Sequence, residues 1–170
     1  MGNLFASQTV TGMKNLFVVY VHLCMDNRGQ EGLHLDAHSR GSMAVGNTLE
    51  HRAKDPEAKG SLSGTTVSFY GPAYNAEKAD KILSNLQGRD AIEDSEASKK
   101  MKLKLENHLA DPVGRLIGGN PATGGVIPEE ESVFKVIVKA LSGAVYTSHN
   151  CYGNDIPDQC NKHWKKSDKE

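Results

Sequence analysis

The chain has 170 residues and a formal net charge of −1. This length is enough for one domain with a substantial hydrophobic core, and the nearly neutral charge gives no general attraction to nucleic acids or acidic membranes. No apolar run approaches the roughly 18 residues of a membrane-spanning helix, and the first ten residues lack the basic start and apolar core of a signal peptide. We therefore expect a single domain over residues 1–170, with flexible tails at 1–11 and 154–170.

The first predicted element is a helix over residues 12–27. Its apolar residues fall on one helical face: Leu16, Val19, Tyr20 and Leu23. The run at 17–21 also has strand propensity, but only residues 25–32 separate it from a second apolar run at 33–37, which we interpret as a strand. Two parallel strands need a crossover of roughly a dozen residues or more, so the helix is the better interpretation of the first run.

The strand at 33–37 leads into the sequence Ala-His-Ser-Arg-Gly at 37–41, and a helix is predicted directly afterwards, over 42–52. This is the layout of a nucleophile elbow, in which a serine lies on a strained turn between a strand and a helix. The turn brings strand and helix so close that small residues are needed two positions before and after the serine. Ala37 and Gly41 meet that demand around Ser39. An ordinary loop between a strand and a helix would also accommodate the sequence.

Strands and helices alternate along the rest of the chain. We predict a strand at 65–70, a helix from the Asn75 cap to Leu86, a charged loop at 89–100, a strand at 100–106, a glycine-rich loop at 118–125, a helix from Pro128 to Ser142-Gly143 and a strand at 144–148. This alternation predicts an α/β fold with three layers, a mostly parallel sheet covered by helices on both faces.

In such a sheet, functional groups gather beyond the carboxyl ends of the strands. Ser39, Asp111 and His149 each follow a predicted strand, in the chain order of the α/β hydrolases. We expect Ser39 to be the nucleophile, His149 the base that removes its proton, and Asp111 the acid that holds the imidazole. The backbone N–H of Arg40 would be one oxyanion donor.

Other residues leave alternatives open. Asp155 or Asp158 could replace Asp111 as the acid, because a triad is defined by geometry and not by chain order. His38, next to the serine, is expected to pack beside the elbow. His108 and Asp111 are spaced like a pair of metal ligands, but two ligands are too few to predict a metal.

The three cysteines predict no metal site either, because no pair has zinc-ligand spacing. Cys151 and Cys160 could close a small loop in an oxidising compartment, which would leave Cys24 free. We therefore predict neither a metal nor a cofactor.

Three blocks of the chain together resemble the ordered blocks of class 3 lipases: Ala-His-Ser-Arg-Gly at 37–41, Val-Ser-Phe-Tyr-Gly-Pro-Ala-Tyr-Asn at 67–75 and Asn-His-Leu-Ala-Asp-Pro-Val at 107–113. More narrowly, residues 33–153 are similar to hydrolase-like modules near the C-termini of filamentous-haemagglutinin-type and contact-dependent-inhibition exoproteins. Those modules carry similar blocks, a Gly-Gly-Asn-Pro loop and a closing His-Asn-Cys-Tyr-Gly.

This resemblance implies a truncated α/β-hydrolase fold and a serine hydrolase of lipase or esterase type. The implied reaction is cleavage of the carboxylic ester of a small molecule or a lipid, without a cofactor. The implied setting is a larger bacterial exoprotein, secreted or at the cell surface, in which the module acts as a toxin-like effector. A cognate immunity protein would then be a partner.

The sequence also departs from that pattern, because an α/β hydrolase has further strands before the elbow and the loop after one of them donates the second oxyanion N–H. Residues 1–32 are interpreted mostly as one helix, so we expect those strands to be missing. The strand at 33–37 would then lack a neighbour on one side and favour a homo-oligomer. Loss of one oxyanion donor costs roughly 100- to 1,000-fold in rate. The alternative function is therefore a catalytically silent structural or adhesive fragment of a filamentous-haemagglutinin-type exoprotein.

Overall fold

The computed structural model describes residues 3–6, 14–89, 103–153 and 157–164. Within these ranges the strands are β1 (Asn3–Ala6), β2 (His34–His38), β3 (Thr66–Tyr70) and β4 (Lys104–Glu106), and the longer helices are α1 (Lys14–Arg28), α2 (Arg40–Arg52), α3 (Ala76–Leu86) and α4 (Val133–Leu141). The strands form one parallel sheet in the order β1-β2-β3-β4. The predicted α/β class and parallel sheet are therefore confirmed.

The core lies on one face of this sheet. Residues of β2 and β3 alternate between buried apolar side chains and half-buried or exposed ones, and the register pairs Leu35 with Val67 and Ala37 with Phe69. The helices pack their apolar faces onto this layer through Val21, Met25, Val45, Leu49, Ala79, Leu83 and Leu86. Burial of these side chains supplies most of the stabilising free energy.

The helices that connect the strands share one side of the sheet. Consecutive strands are neighbours, and right-handed connections between them place α1, α2 and α3 on the same face. In agreement, α2 packs between α1 and α3. For these three helices the structure therefore differs from the predicted covering of both faces, because the strand order never reverses direction.

The start of the chain corrects two predictions. Residues 3–6, expected to belong to a flexible tail, form β1, and β1 pairs with β2 through Leu4–Leu35 and Ala6–Ala37. Consequently β2 has a neighbour on each side, and the expectation of an unpaired edge at 33–37 is wrong. The predicted helix is present as α1, and it provides the crossover that a parallel pair requires.

The structure after β4 differs from two further predictions, the start of the last helix and the strand at 144–148. The last long helix begins at Val133 and not at Pro128, because the Ser132 side chain caps it by accepting from the Lys135 N–H. Residues 128–131 form a separate turn, in which the Glu131 N–H donates to the Pro128 carbonyl at 2.9 Å.

The predicted strand at 144–148 is not formed. Gly143 and Tyr146 have positive φ angles of 74° and 56°, which interrupt an extended backbone. Directly afterwards the chain turns, and the N–H groups of Asn150 and Cys151 both donate to the Thr147 carbonyl. His149 therefore projects from a turn and not from the end of a strand.

The predicted C-terminal tail contains a short 3-10 helix, Asp158–His163, in which Cys160 and His163 are buried. Cys151 and Cys160 form a disulfide with their Cα atoms 5.4 Å apart, and Cys24 is a free cysteine. The Trp164 indole N–H donates to the Cys151 carbonyl, so this helix is tied to the chain just after His149. Among the described residues, no helix is long and apolar enough to cross a membrane.

Candidate active site

Ser39 lies on a sharp turn between β2 and α2. Its backbone has φ 50° and ψ −123°, a conformation that a residue with a Cβ rarely adopts and that marks a strained turn. The Ser39 N–H donates to the Tyr70 carbonyl at 3.1 Å, and the Ser42 hydroxyl donates to the Ser39 carbonyl at 2.6 Å. The turn is therefore held from both β3 and α2, and its layout of strand, strained serine and helix is that of the predicted elbow.

The three residues predicted as a triad come together in the structure. The Nε2 atom of His149 lies 3.0 Å from Oγ of Ser39, and its Nδ1 atom lies 2.9 and 3.0 Å from the two carboxylate oxygens of Asp111. All three side chains are buried, and Asp111 is completely inaccessible. Because the carboxylate accepts a hydrogen bond from Nδ1–H, the Nε2 lone pair is directed at the Ser39 hydroxyl and can accept its proton.

Asp111 is held as a carboxylate. Its Oδ1 atom accepts the N–H groups of Val113 at 2.8 Å and Gly114 at 3.2 Å, and its Oδ2 atom accepts the Tyr152 hydroxyl at 2.6 Å. Burial alone would raise the pKa of Asp111, but the hydrogen bond and charge of His149, with the Tyr152 and Gly114 donors, hold that pKa below its ordinary value. The acid therefore stays ionised beside the imidazole.

His38 does more than pack beside the elbow. Its Nε2–H donates to the backbone carbonyl of His149 at 2.6 Å, and the two rings lie with centroids 4.8 Å apart. Burial lowers the pKa of His38, although the bond to the His149 carbonyl opposes the shift. A second tie comes from Ser148, whose hydroxyl donates to the Ala110 carbonyl at 3.1 Å. The turn that carries His149 is therefore fixed to both the elbow and the Asp111 segment.

The sequence did not reveal the part played by Tyr152. This residue lies in the closing His-Asn-Cys-Tyr-Gly block, but only the fold shows its hydroxyl against Asp111, a contact across 41 residues. Gly71 leaves room for that contact, because a Cβ at this position would lie 2.3 Å from Oδ2 of Asp111 and 2.8 Å from Cε2 of Tyr152. In the sequence, the glycine of the Tyr-Gly-Pro-Ala block was the one feature that could have indicated a close contact at this position.

The other candidates lie elsewhere. Asp158 is exposed on the C-terminal 3-10 helix, whereas Asp111 is the carboxylate that contacts His149. Asp155 lies outside the described residues. Arg40 is the first residue of α2, where the backbone N–H has no acceptor within the helix. The described residues contain no group of three or more His, Cys, Asp or Glu side chains that could hold a metal ion.

The glycine-rich loop has a structural task. Its Asn120 side chain is buried and donates to the carbonyls of Pro72 and Tyr74, and its carbonyl oxygen accepts the N–H of Ala76. These bonds fix the turn between β3 and α3, and thereby the position of Gly71 next to Asp111.

In comparisons with known proteins, no protein-family model, curated protein or solved structure gives a significant match to this chain. The interpretation of the site therefore rests on its own geometry and chemistry.

Proposed function

We propose that this protein is a serine hydrolase of lipase or esterase type, built as a small α/β-hydrolase-like domain. One observation carries the proposal: a continuous hydrogen-bond chain runs from the Ser39 hydroxyl through His149 to Asp111, and its serine lies on a turn with positive φ. Nucleophile, base and orienting carboxylate are thus within bonding distance, which is the arrangement that activates a serine.

The reaction follows from the roles of these groups. His149 Nε2 accepts the Ser39 proton while Oγ attacks the ester carbonyl carbon, and the carbonyl oxygen becomes an oxyanion. The imidazolium then gives its proton to the leaving alcohol as the carbon–oxygen bond breaks, which leaves an acyl group on Ser39. Water, deprotonated by His149, attacks this acyl group and releases a carboxylic acid and the free enzyme. Asp111 stays ionised throughout and stabilises the imidazolium.

The oxyanion needs donors at the same edge of the sheet. The Arg40 N–H is the first, because it lies directly after the nucleophile at the start of α2. In α/β hydrolases the second donor comes from a loop that follows a neighbouring strand. Here β1 ends at Ala6, which pairs with Ala37, two residues before Ser39.

The setting of the enzyme is proposed from the resemblance of its blocks to exoprotein modules. A disulfide between Cys151 and Cys160 supports that setting, because structural disulfides persist in oxidising environments such as cell surfaces. In this proposal the domain is an effector-like module of a bacterial surface exoprotein that hydrolyses an acyl ester, and an immunity protein is its partner.

A fluorophosphonate probe tests the activity directly, because it forms a covalent bond with an activated serine. We expect the purified chain to be labelled and Ser39→Ala to remain unlabelled. Ser63→Ala, which changes an exposed serine, is the matched control and should label like the wild type. Hydrolysis of nitrophenyl esters with increasing acyl length then defines the substrate class. Absence of labelling in the folded wild type would reject the enzyme and favour the silent structural fragment.

A further inference from the structure

The carboxylate of Asp111 is held differently at its two oxygens. Oδ1 accepts two backbone N–H groups, from Val113 and Gly114, whose positions are set by the turn that follows Asp111. Oδ2 accepts the Tyr152 hydroxyl at 2.6 Å, from a residue far away in the chain. No backbone donor contacts Oδ2, which is held by side chains, the Tyr152 hydroxyl and His149 Nδ1 at 3.0 Å. Tyr152 is therefore the donor that fixes this oxygen next to the His149 ring.

Tyr152 is itself oriented for this task. Its oxygen accepts the His108 N–H at 2.9 Å, which directs the hydroxyl hydrogen toward Asp111. Its ring lies 5.8 Å from the ring of His38 and 5.6 Å from that of Trp164, measured between centroids. The tyrosine is thus packed between the elbow side of the site and the disulfide-linked C-terminal segment.

The phenol does not act as an acid or base. Burial, followed by the negative charge and hydrogen bond of Asp111, raises the pKa of Tyr152 far above its ordinary value. The hydroxyl therefore keeps its proton at every pH at which the protein works, and it remains a permanent donor to Oδ2.

We infer that Tyr152 is a positioning residue for the proposed hydrolase reaction, one that acts on the substrate only through Asp111 and His149. The inference rests on the proposed function. The Tyr152 hydroxyl holds the Asp111 carboxylate in the orientation that keeps the His149 Nδ1–H bonded and Nε2 directed at Ser39. Short hydrogen bonds to an ionised group are the stronger ones, so this contact sets the geometry of the acid.

The test is Tyr152→Phe in the full chain, which removes one oxygen and keeps the packed ring. The rate of fluorophosphonate labelling should fall about tenfold, the effect expected from losing one hydrogen bond to a charged group. Tyr146→Phe is the matched control, because it removes a hydroxyl from a partly exposed tyrosine outside the triad. A carbon-13 titration of the carboxyl groups should show the pKa of Asp111 raised in Tyr152→Phe and unchanged in Tyr146→Phe.

A double-mutant cycle separates positioning from general destabilisation. In an Asp111→Asn background, Tyr152→Phe should cause no further loss of labelling, because its effect passes through the carboxylate. Equal losses in both backgrounds would overturn the inference, and so would wild-type labelling together with an unchanged Asp111 pKa. If Tyr152→Phe is too unstable to compare at one temperature, the same cycle is measured below its unfolding transition. Labelling of wild type but not of Ser39→Ala keeps the proposed function standing whichever way the cycle comes out.

Discussion

A Cβ atom on Gly71 would lie 2.3 Å from the Oδ2 atom of Asp111. This distance is shorter than any real contact of a Cβ, and the same atom would also press on the Tyr152 ring. Gly71 directly follows β3 with φ 48°, so the backbone, too, favours glycine. The glycine therefore leaves the space in which the Asp111 carboxylate and the Tyr152 hydroxyl meet.

We predict that Gly71→Ala lowers fluorophosphonate labelling by roughly 100-fold, because a misplacement of about 1 Å near the chemistry can cost that much. Gly32→Ala is the control, because Gly32 also has a positive φ, of 95°, but an added Cβ there meets nothing within 4 Å. Both variants should lose about 1–2 kcal/mol of stability from backbone strain, and Gly71→Ala should lose more because its Cβ also overlaps the Asp111 carboxylate. Labelling of Gly71→Ala at the level of Gly32→Ala would show that the crowding at Asp111 has no catalytic consequence.

The triad residues should act as a unit. Ser39→Ala and His149→Ala are each expected to lower ester hydrolysis by roughly 10⁴-fold or more, and the double variant should lose little beyond either one. Asp111→Asn should be comparable or milder, because it disturbs the tautomer of His149 and removes the stabilising charge. Additive losses in the double variant would contradict a shared mechanism.

Local patterns predicted the tight strand-to-helix turn at Ser39 correctly, because its requirement is local. Ala37 and Gly41 flank Ser39 in a spacing that only a tight strand-to-helix turn needs, and the helix that follows is present as α2. The strand β3 and the helix α3 with its Asn75 cap were likewise predicted close to their observed bounds. In each case the sequence pattern that predicts the element lies within the residues that form it.

Elements determined by distant contacts could not be predicted in this way. Asn3–Ala6 has too few residues to show a period, and it becomes a strand only by pairing with β2. The run at 144–148 has strand propensity, but Tyr146 takes a positive φ and its carbonyl accepts the His163 ring N–H at 2.9 Å. For the same reason the sequence places His149 near the site but gives no role to Tyr152, whose partner Asp111 comes 41 positions earlier.

The disulfide should stabilise the half of the site that carries His149 and Tyr152. Cys151 lies between these two residues, and its bond to Cys160 closes a loop with a sequence separation of 9. For a loop of this size the chain-entropy estimate is roughly 2–3 kcal/mol. We predict that replacing both cysteines by serine lowers the free energy of unfolding by about that amount and slows labelling of Ser39.

Chemical denaturation and labelling of the same samples check this prediction. Cys24→Ser is the control, because Cys24 forms no disulfide and lies on α1. A reducing agent should cause the same loss of stability and the same slower labelling in the wild type. It should have no effect on the double variant, which has no disulfide to reduce. Equal stability of the double variant and Cys24→Ser would mean that the disulfide contributes nothing to the fold.

Acid should destabilise the protein through buried histidines, of which His108 is the clearest case. Its Nε2–H donates to the carbonyls of Val126 and His163, and its Nδ1 accepts the Ala110 N–H at 3.0 Å. A proton on Nδ1 would face that N–H, so the folded site requires neutral imidazole. Burial lowers the pKa of His108, although the two carbonyl contacts oppose the shift.

The direction in which stability changes with pH follows from the lowered pKa of His108. The unfolded chain takes up a proton on His108 near the ordinary histidine pKa of about 6.5, while the folded chain does so only at lower pH. The stability contributed by neutral His108 is therefore complete above that ordinary value and is lost as the pH falls from it through the folded pKa. We predict a falling melting temperature between about pH 7 and pH 5.

His108→Gln, which offers the same acceptor and donor without titrating, should be less stable at pH 7 and lose less melting temperature as the pH falls. The control His51→Gln changes an exposed histidine and should keep the wild-type slope; an unchanged slope in His108→Gln would contradict the assignment.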